Sequence, residues 1–168
     1  MSYQEKKTIV SIVTGALLLA AYFIYAISQV QSGMAAPDDM TFWAATILIF
    51  IGIGVGASIV IQIVFHILLS IAMAVKTQVQ TGKCDDKKIE ESLEQEMVED
   101  EMDKLIGLKS MRIGFAIAGV GFVAALVSLV LNFSPAVMLN IIFASFGIGS
   151  MIEGIAQIYF YRRGVKNG

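Results

Sequence analysis

Residues 113–131 read IGFAIAGVGFVAALVSLVL, an apolar run without a charge, preceded by Lys109 and Arg112 and followed by Asn132-Phe133-Ser134-Pro135. About 20 such residues cross a hydrocarbon core ~30 Å thick as one helix. The polar–apolar alternation that a membrane barrel strand needs is absent. Working outward, residues 8–30, 41–75 and 135–161 have the same character. The chain is 57% hydrophobic and 15% charged, whereas soluble domains run at about half and a quarter. Its charges are confined to the N-terminal residues, 76–112 and the tail, apart from Asp38, Asp39 and Glu153. The pattern predicts one all-α integral membrane domain over 1–168. Its four spans fall at about 8–30, 41–66, 110–131 and 135–161.

Cations in short loops set the orientation of such a chain. Lys6 and Lys7 precede the first block, and Lys76, Lys83, Lys87, Lys88, Lys104, Lys109 and Arg112 lie between the second and third. Arg162, Arg163 and Lys166 follow the fourth, while 31–40 and 132–134 carry no Lys or Arg. Four crossings therefore leave every cation on one side. The expected location is the cell membrane, the inner membrane of a prokaryote, with both termini cytoplasmic. The first block resembles a secretory signal in its Lys6-Lys7 start. Its apolar run of about 23 residues exceeds the ~7–15 of a signal core, so it is read as a retained span.

Several local signals refine the helices. Asp38 or Asp39, after Pro37, should cap the second helix near Thr41, and Ser134 should cap a fourth starting at Pro135. At about 1.5 Å per residue, block 41–75 spans about 52 Å, more than a hydrocarbon core. Ile49-Phe50-x3-Gly54-x-Gly56-x2-Ile59 recurs as Ile142-Phe143-x3-Gly147-x-Gly149-x2-Ile152. A duplicated two-span hairpin would produce this, and so would the plain abundance of Ile, Phe and Gly in membrane helices. In the central segment, Ile89, Leu93, Met97, Met102, Leu105 and Ile106 mark an apolar stripe whose back carries acids. The expectation is a cytoplasmic helical hairpin over about 67–109. It extends helices 2 and 3 around the turn at Gly82, with the stripe covering residues 67–79.

Glu153 is the ionisable group that falls within a span, a functional candidate by position alone. Ser150 and Gln157 share its helix face, and Ser58 and Gln62 lie at comparable depth on helix 2, with His66 one turn lower. These six residues form the expected intramembrane polar cluster, a proton or cation relay or a hydrogen-bonded helix contact. Gly52 with Gly56, Ser145 with Gly149, and Ser150 with Gly154 have the four-residue spacing of close helix packing. No metal site is expected: His66 has no second His or Cys nearby, and the ten acids from Asp85 to Asp103 lack the spaced loop of a calcium site. Cys84 is the sole cysteine, which excludes an intrachain disulfide. No catalytic motif, cofactor fingerprint or basic nucleic-acid patch is present, so neither enzyme activity, a cofactor nor nucleic acid is expected.

The Glu5-Lys6-Lys7 start, four spans and acidic linker resemble small four-span prokaryotic membrane proteins of unassigned function. The resemblance covers the whole chain and implies no site. The small multidrug transporters are shorter and place their essential carboxylate in the first span, which here contains no acid. Two functions are expected. The leading one is a regulatory or scaffolding protein of the bilayer. Its acidic hairpin, with Ile89, Leu93, Met97, Met102 and Leu105, binds a cytosolic protein or a second copy as a homodimer. The alternative is a small proton- or cation-coupled transporter or channel subunit centred on Glu153.

Overall fold

The computed structural model describes residues 3–36, 38–81 and 100–164. Every regular element among them is a helix: α1 (Tyr3–Gln31), α2 (Met40–Thr81), α3 (Glu101–Val130) and α4 (Pro135–Arg163). Each is long and apolar enough to cross a membrane, the apolar spans being Gln4–Gln31, Met40–Ala72, Glu101–Val130 and Pro135–Arg163. Large apolar side chains such as Leu17, Ile24, Leu48, Phe115 and Val130 are exposed on the outside. An apolar outer surface of this extent, on helices of this length, is consistent with a multi-pass membrane protein.

Helix α4 is the hub and touches the other three. Its contact with α3 is the most extensive and runs antiparallel. Ser145 sits over Gly121, Gly149 meets the backbone of Gly114, Glu153 lies on Gly114, and Tyr161 reaches Asp103. The buried face of α3 is Ile106, Ser110, Gly114, Ala118, Ala125 and Ser128, nearly all small and spaced by about one turn. Small residues are needed there because a Cβ on Gly149 would stand 2.7 Å from the Gly114 carbonyl oxygen. Between two apolar helices in lipid, such close backbone approach is the main source of association. Against α1 the order is again antiparallel, with Leu19 on Gly147, Ile12 on Gly154 and Thr8 on Gln157.

Helix α2 is held at one end. Trp43 is buried and its indole N–H donates to the Ala36 carbonyl at 3.1 Å. Phe50 packs edge-on to Tyr22 with ring centroids 5.2 Å apart, and Leu18 lies against Gly54. Tyr22 is fully buried and donates its hydroxyl to Asn140 Oδ1 at 2.6 Å. Tyr22, Ala26, Ala35, Trp43 and Ala136 thus form an aromatic cluster where α1, α2 and α4 meet. Past Gln62 the described residues of α2 are largely exposed. The helix is unbroken at Gly52 and Gly56. Its 42 residues span about 63 Å at ~1.5 Å per residue.

The helix ends have identifiable causes. The Asp39 carboxylate accepts from the Phe42 N–H at 3.0 Å, capping α2. Gly33 (φ 69) and Asn132 (φ 62) take the left-handed conformation after α1 and α3. Met34 N–H then bonds to Gln29 O, and Phe133 N–H to Ser128 O, closing both helices with the same six-residue loop. Helix α3 starts with reciprocal bonds. Asp103 N–H donates to Asp100 Oδ1 at 2.7 Å, and Asp100 N–H to Asp103 Oδ2 at 3.2 Å. The backbone at Asp100 is extended and α3 begins at Glu101, which interrupts at that point the single helix expected to run from the acidic segment into the third span. Ile89, Leu93, Met97, Cys84 and the Gly82 turn lie outside the described residues. Within them, Met102 is exposed, Leu105 half-buried and Ile106 buried; α3 packs mainly on α4, without an extensive contact with α2.

Candidate polar cavity between the helices

Helix α1 begins with polar residues at one-turn intervals, Gln4, Lys7, Thr8 and Ser11, and Gly15 continues that face. The antiparallel register brings them opposite Gln157, Glu153 and Ser150 of α4. Together they line a partly open cavity of about 240 Å³. Its floor is tight. A Cβ on Gly154 would run into Ile12, and one on Gly114 would stand 2.9 Å from Glu153 Cβ and 3.0 Å from its Oε2. The Glu153 side chain therefore occupies space that only a glycine on α3 leaves open.

The chemistry of the lining is polar and unequally satisfied. Thr8 Oγ1 lies 2.9 Å from the Gln4 carbonyl oxygen and 3.0 Å from Gln157 Oε1. With one proton, it donates to one of them at a time. At the rim, buried Glu5 approaches Arg162 at 3.9 Å, and Tyr161 donates to Asp103 at 2.8 Å. Arg163 stacks over Tyr159 with its guanidinium carbon 5.2 Å from the ring centre. Glu153, by contrast, makes no hydrogen bond or ion pair with any described residue. Ser110, fully buried on the α3 face toward α4, leaves its hydroxyl without a partner among the described residues.

A second cavity of about 490 Å³ lies on the other side of the α1–α4 contact and reaches α2. Lys7, Ser11, Gly15 and Ser150 border both cavities. Ser58 and Gln62 belong to the second one, with Gly54 and Thr14. The six residues marked from the sequence are thus divided. Glu153, Gln157 and Ser150 share the first cavity, and Ser58 and Gln62 face its neighbour. His66 stands apart, exposed on α2 in a shallow hollow with Gln62, Ile63 and Ile67. The cause is the divergence of α2, which is clamped from Trp43 to Gly54 and has few neighbours beyond Gln62. Among the small residues, Ser145 and Gly149 face α3 and Gly154 faces α1, whereas Gly52 and Gly56 meet nothing within 4 Å. Gly54 makes the contact on α2.

The α1 contribution escaped sequence reasoning, although a signal existed. Gln4, Lys7, Thr8 and Ser11 recur at i+3 and i+4, a polar stripe entering an otherwise apolar helix. No group of three or more metal-binding side chains occurs among the described residues. Comparison with known proteins adds nothing to this geometry: no family model, no curated protein and no solved structure matches the chain.

Proposed function

We propose that this chain is a multi-pass membrane protein with both termini cytoplasmic, and that it works as a small transporter or channel subunit exchanging a proton or cation at Glu153. One observation carries the reading: a carboxylate inside an apolar span lines a polar cavity and has no partner among the described residues. A charge placed in a membrane core is expensive, and such residues, facing the bundle interior or a water-filled cavity, mark ion and proton pathways. A carboxylate that only joined helices would be expected to hydrogen-bond across the interface, as Tyr22 and Asn140 do at the other end. The orientation is supported by the distribution of the twelve Lys and Arg residues.

The test uses the full chain in proteoliposomes with an imposed pH gradient and a lumenal pH dye. Wild type should dissipate the gradient faster than empty vesicles, and Glu153→Gln should return to the empty-vesicle rate with its melting temperature in detergent unchanged. Undiminished flux in Glu153→Gln rejects the reading. A melting shift, with no flux in wild type, assigns Glu153 to helix contact instead.

A further inference from the structure

Where α1 and α3 begin and α4 ends, two charges are matched, half-buried Asp103 by Tyr161 and buried Glu5 by Arg162. Two are not. Lys7 and Glu153 are each half-buried, line the same cavity, and form no ion pair with one another or with any other described residue. Lys6, its neighbour in sequence, is exposed. Anchoring at a membrane surface accounts for Lys6 and gives no reason for Lys7 to turn into the bundle. The remaining lining side chains, apart from Ile12 and Met151, are neutral amides and hydroxyls that both donate and accept.

We propose that Lys7 and Glu153 hold opposite ends of one small zwitterion, an amino acid with a short side chain. This rests on the transport reading of the same cavity, with the proton rather than a simple cation as the coupling ion, and names the solute carried with it. Size comes first: about 240 Å³ is below the roughly 300–1,000 Å³ of sites for drug-sized ligands, which leaves room for a few heavy atoms. Charge comes second. A simple cation would satisfy Glu153 and leave Lys7 uncompensated, an anion would do the reverse, and an unmatched charge away from bulk water is costly. A zwitterion satisfies both. The third argument concerns the ammonium. No aromatic ring lines the cavity, so a quaternary ammonium has no π face to rest on. A primary ammonium instead finds the Glu153 carboxylate, with Ser150 and Gln157 as further acceptors. The solute's carboxylate lies toward Lys7 and the helix ends, its ammonium toward Glu153 and the span interior.

Isothermal titration of the detergent-purified full chain separates these cases with three matched solutes: alanine, ethylamine (alanine without its carboxylate) and propionate (alanine without its ammonium). Wild type should bind alanine at least ten-fold tighter than either of the others, a comparison that requires no variant. Lys7→Gln should lose that ten-fold preference over ethylamine, Glu153→Gln should lose it over propionate, and Lys7→Arg should keep both. Equal binding of all three solutes by wild type overturns the proposal, as does unchanged selectivity in Lys7→Gln. Binding is read at equilibrium, so the two readings fail separately. Glu153-dependent proton flux without alanine selectivity removes the zwitterion alone. Alanine selectivity without flux in wild type removes the transport reading and leaves a binding site.

Discussion

The most apolar stretches of α3 and α2 are closely similar in hydropathy, yet α3 is locked to α4 along its length and α2 is held at a single end. The difference lies in side-chain size, not hydrophobicity. Helix α3 presents Ser110, Gly114, Ala118, Ala125 and Ser128 to its neighbour, and the backbones approach until Gly149 meets the Gly114 carbonyl. Helix α2 carries three glycines in five residues, but only Gly54 touches another helix. In water both helices would gain by burying Leu and Ile. In lipid that gain vanishes, and contact goes to surfaces that fit closely. Loose attachment has a consequence: the larger cavity, with Ser58 and Gln62, opens where α2 departs from α1 and α4.

The sharpest way to break this contrast is at the seam. Gly149→Leu adds a side chain whose Cβ starts 2.7 Å from a carbonyl oxygen of the opposing backbone, which has no rotamer to give way. It should lower unfolding free energy in detergent by about 3 kcal/mol, the upper part of the range for overpacking. A change under about 0.5 kcal/mol, the usual bound for innocuous surface sites, would show that the seam is not close-packed.

Next in size is the clamp on α2. Trp43→Ala removes a buried indole and its bond to Ala36. It should cost about 2 kcal/mol, less than the ~3–5 of soluble cores, because the freed surface is taken up by lipid. Thermal unfolding monitored at Tyr22 and at α4 should show α2 releasing first; one cooperative loss of both would argue against a clamp. Smaller again is Tyr22→Phe, which deletes the hydroxyl donated to Asn140. About 0.6 kcal/mol is expected, the mean for hydrogen bonds between membrane helices. The smallest effect belongs to Gly56→Leu, which points into open space and should leave the melting temperature in place. Gly54→Leu, pressing on Leu18, should not be neutral. Reversed results would mean that α2 is rotated about its axis.

Much of this framework was legible in the sequence, and the gaps have a physical pattern. Apolar length marked four helices, and Asp39 and Pro135 marked two of their starts, because caps and membrane spans leave local signals. The face a span turns inward leaves little. In a helix apolar all round, Gly52, Gly54 and Gly56 differ only in phase, and nothing local selects Gly54. The Asp100–Asp103 capping box was obscured because both residues sit in an acidic run that reads as a solvated helix face. Lys7's place in the cavity left no local signal, because Glu153, which lines the same cavity, lies 146 positions away in the chain. For the site, α4's share was legible from one misplaced acid, while α1's share required the antiparallel register.

The central claim is that water reaches the Glu153 cavity from the side bearing both termini. It is tested most directly by thiol labelling in a Cys84→Ser background. Ser150→Cys lines the polar cavity and its larger neighbour, and Phe146→Cys, one turn away on the same helix, is exposed on the outer surface. With an impermeant maleimide on inside-out vesicles, Ser150→Cys should react, faster than Phe146→Cys by at least ten-fold, and be silent in right-side-out vesicles. Equal silence of both positions in inside-out vesicles would contradict the account.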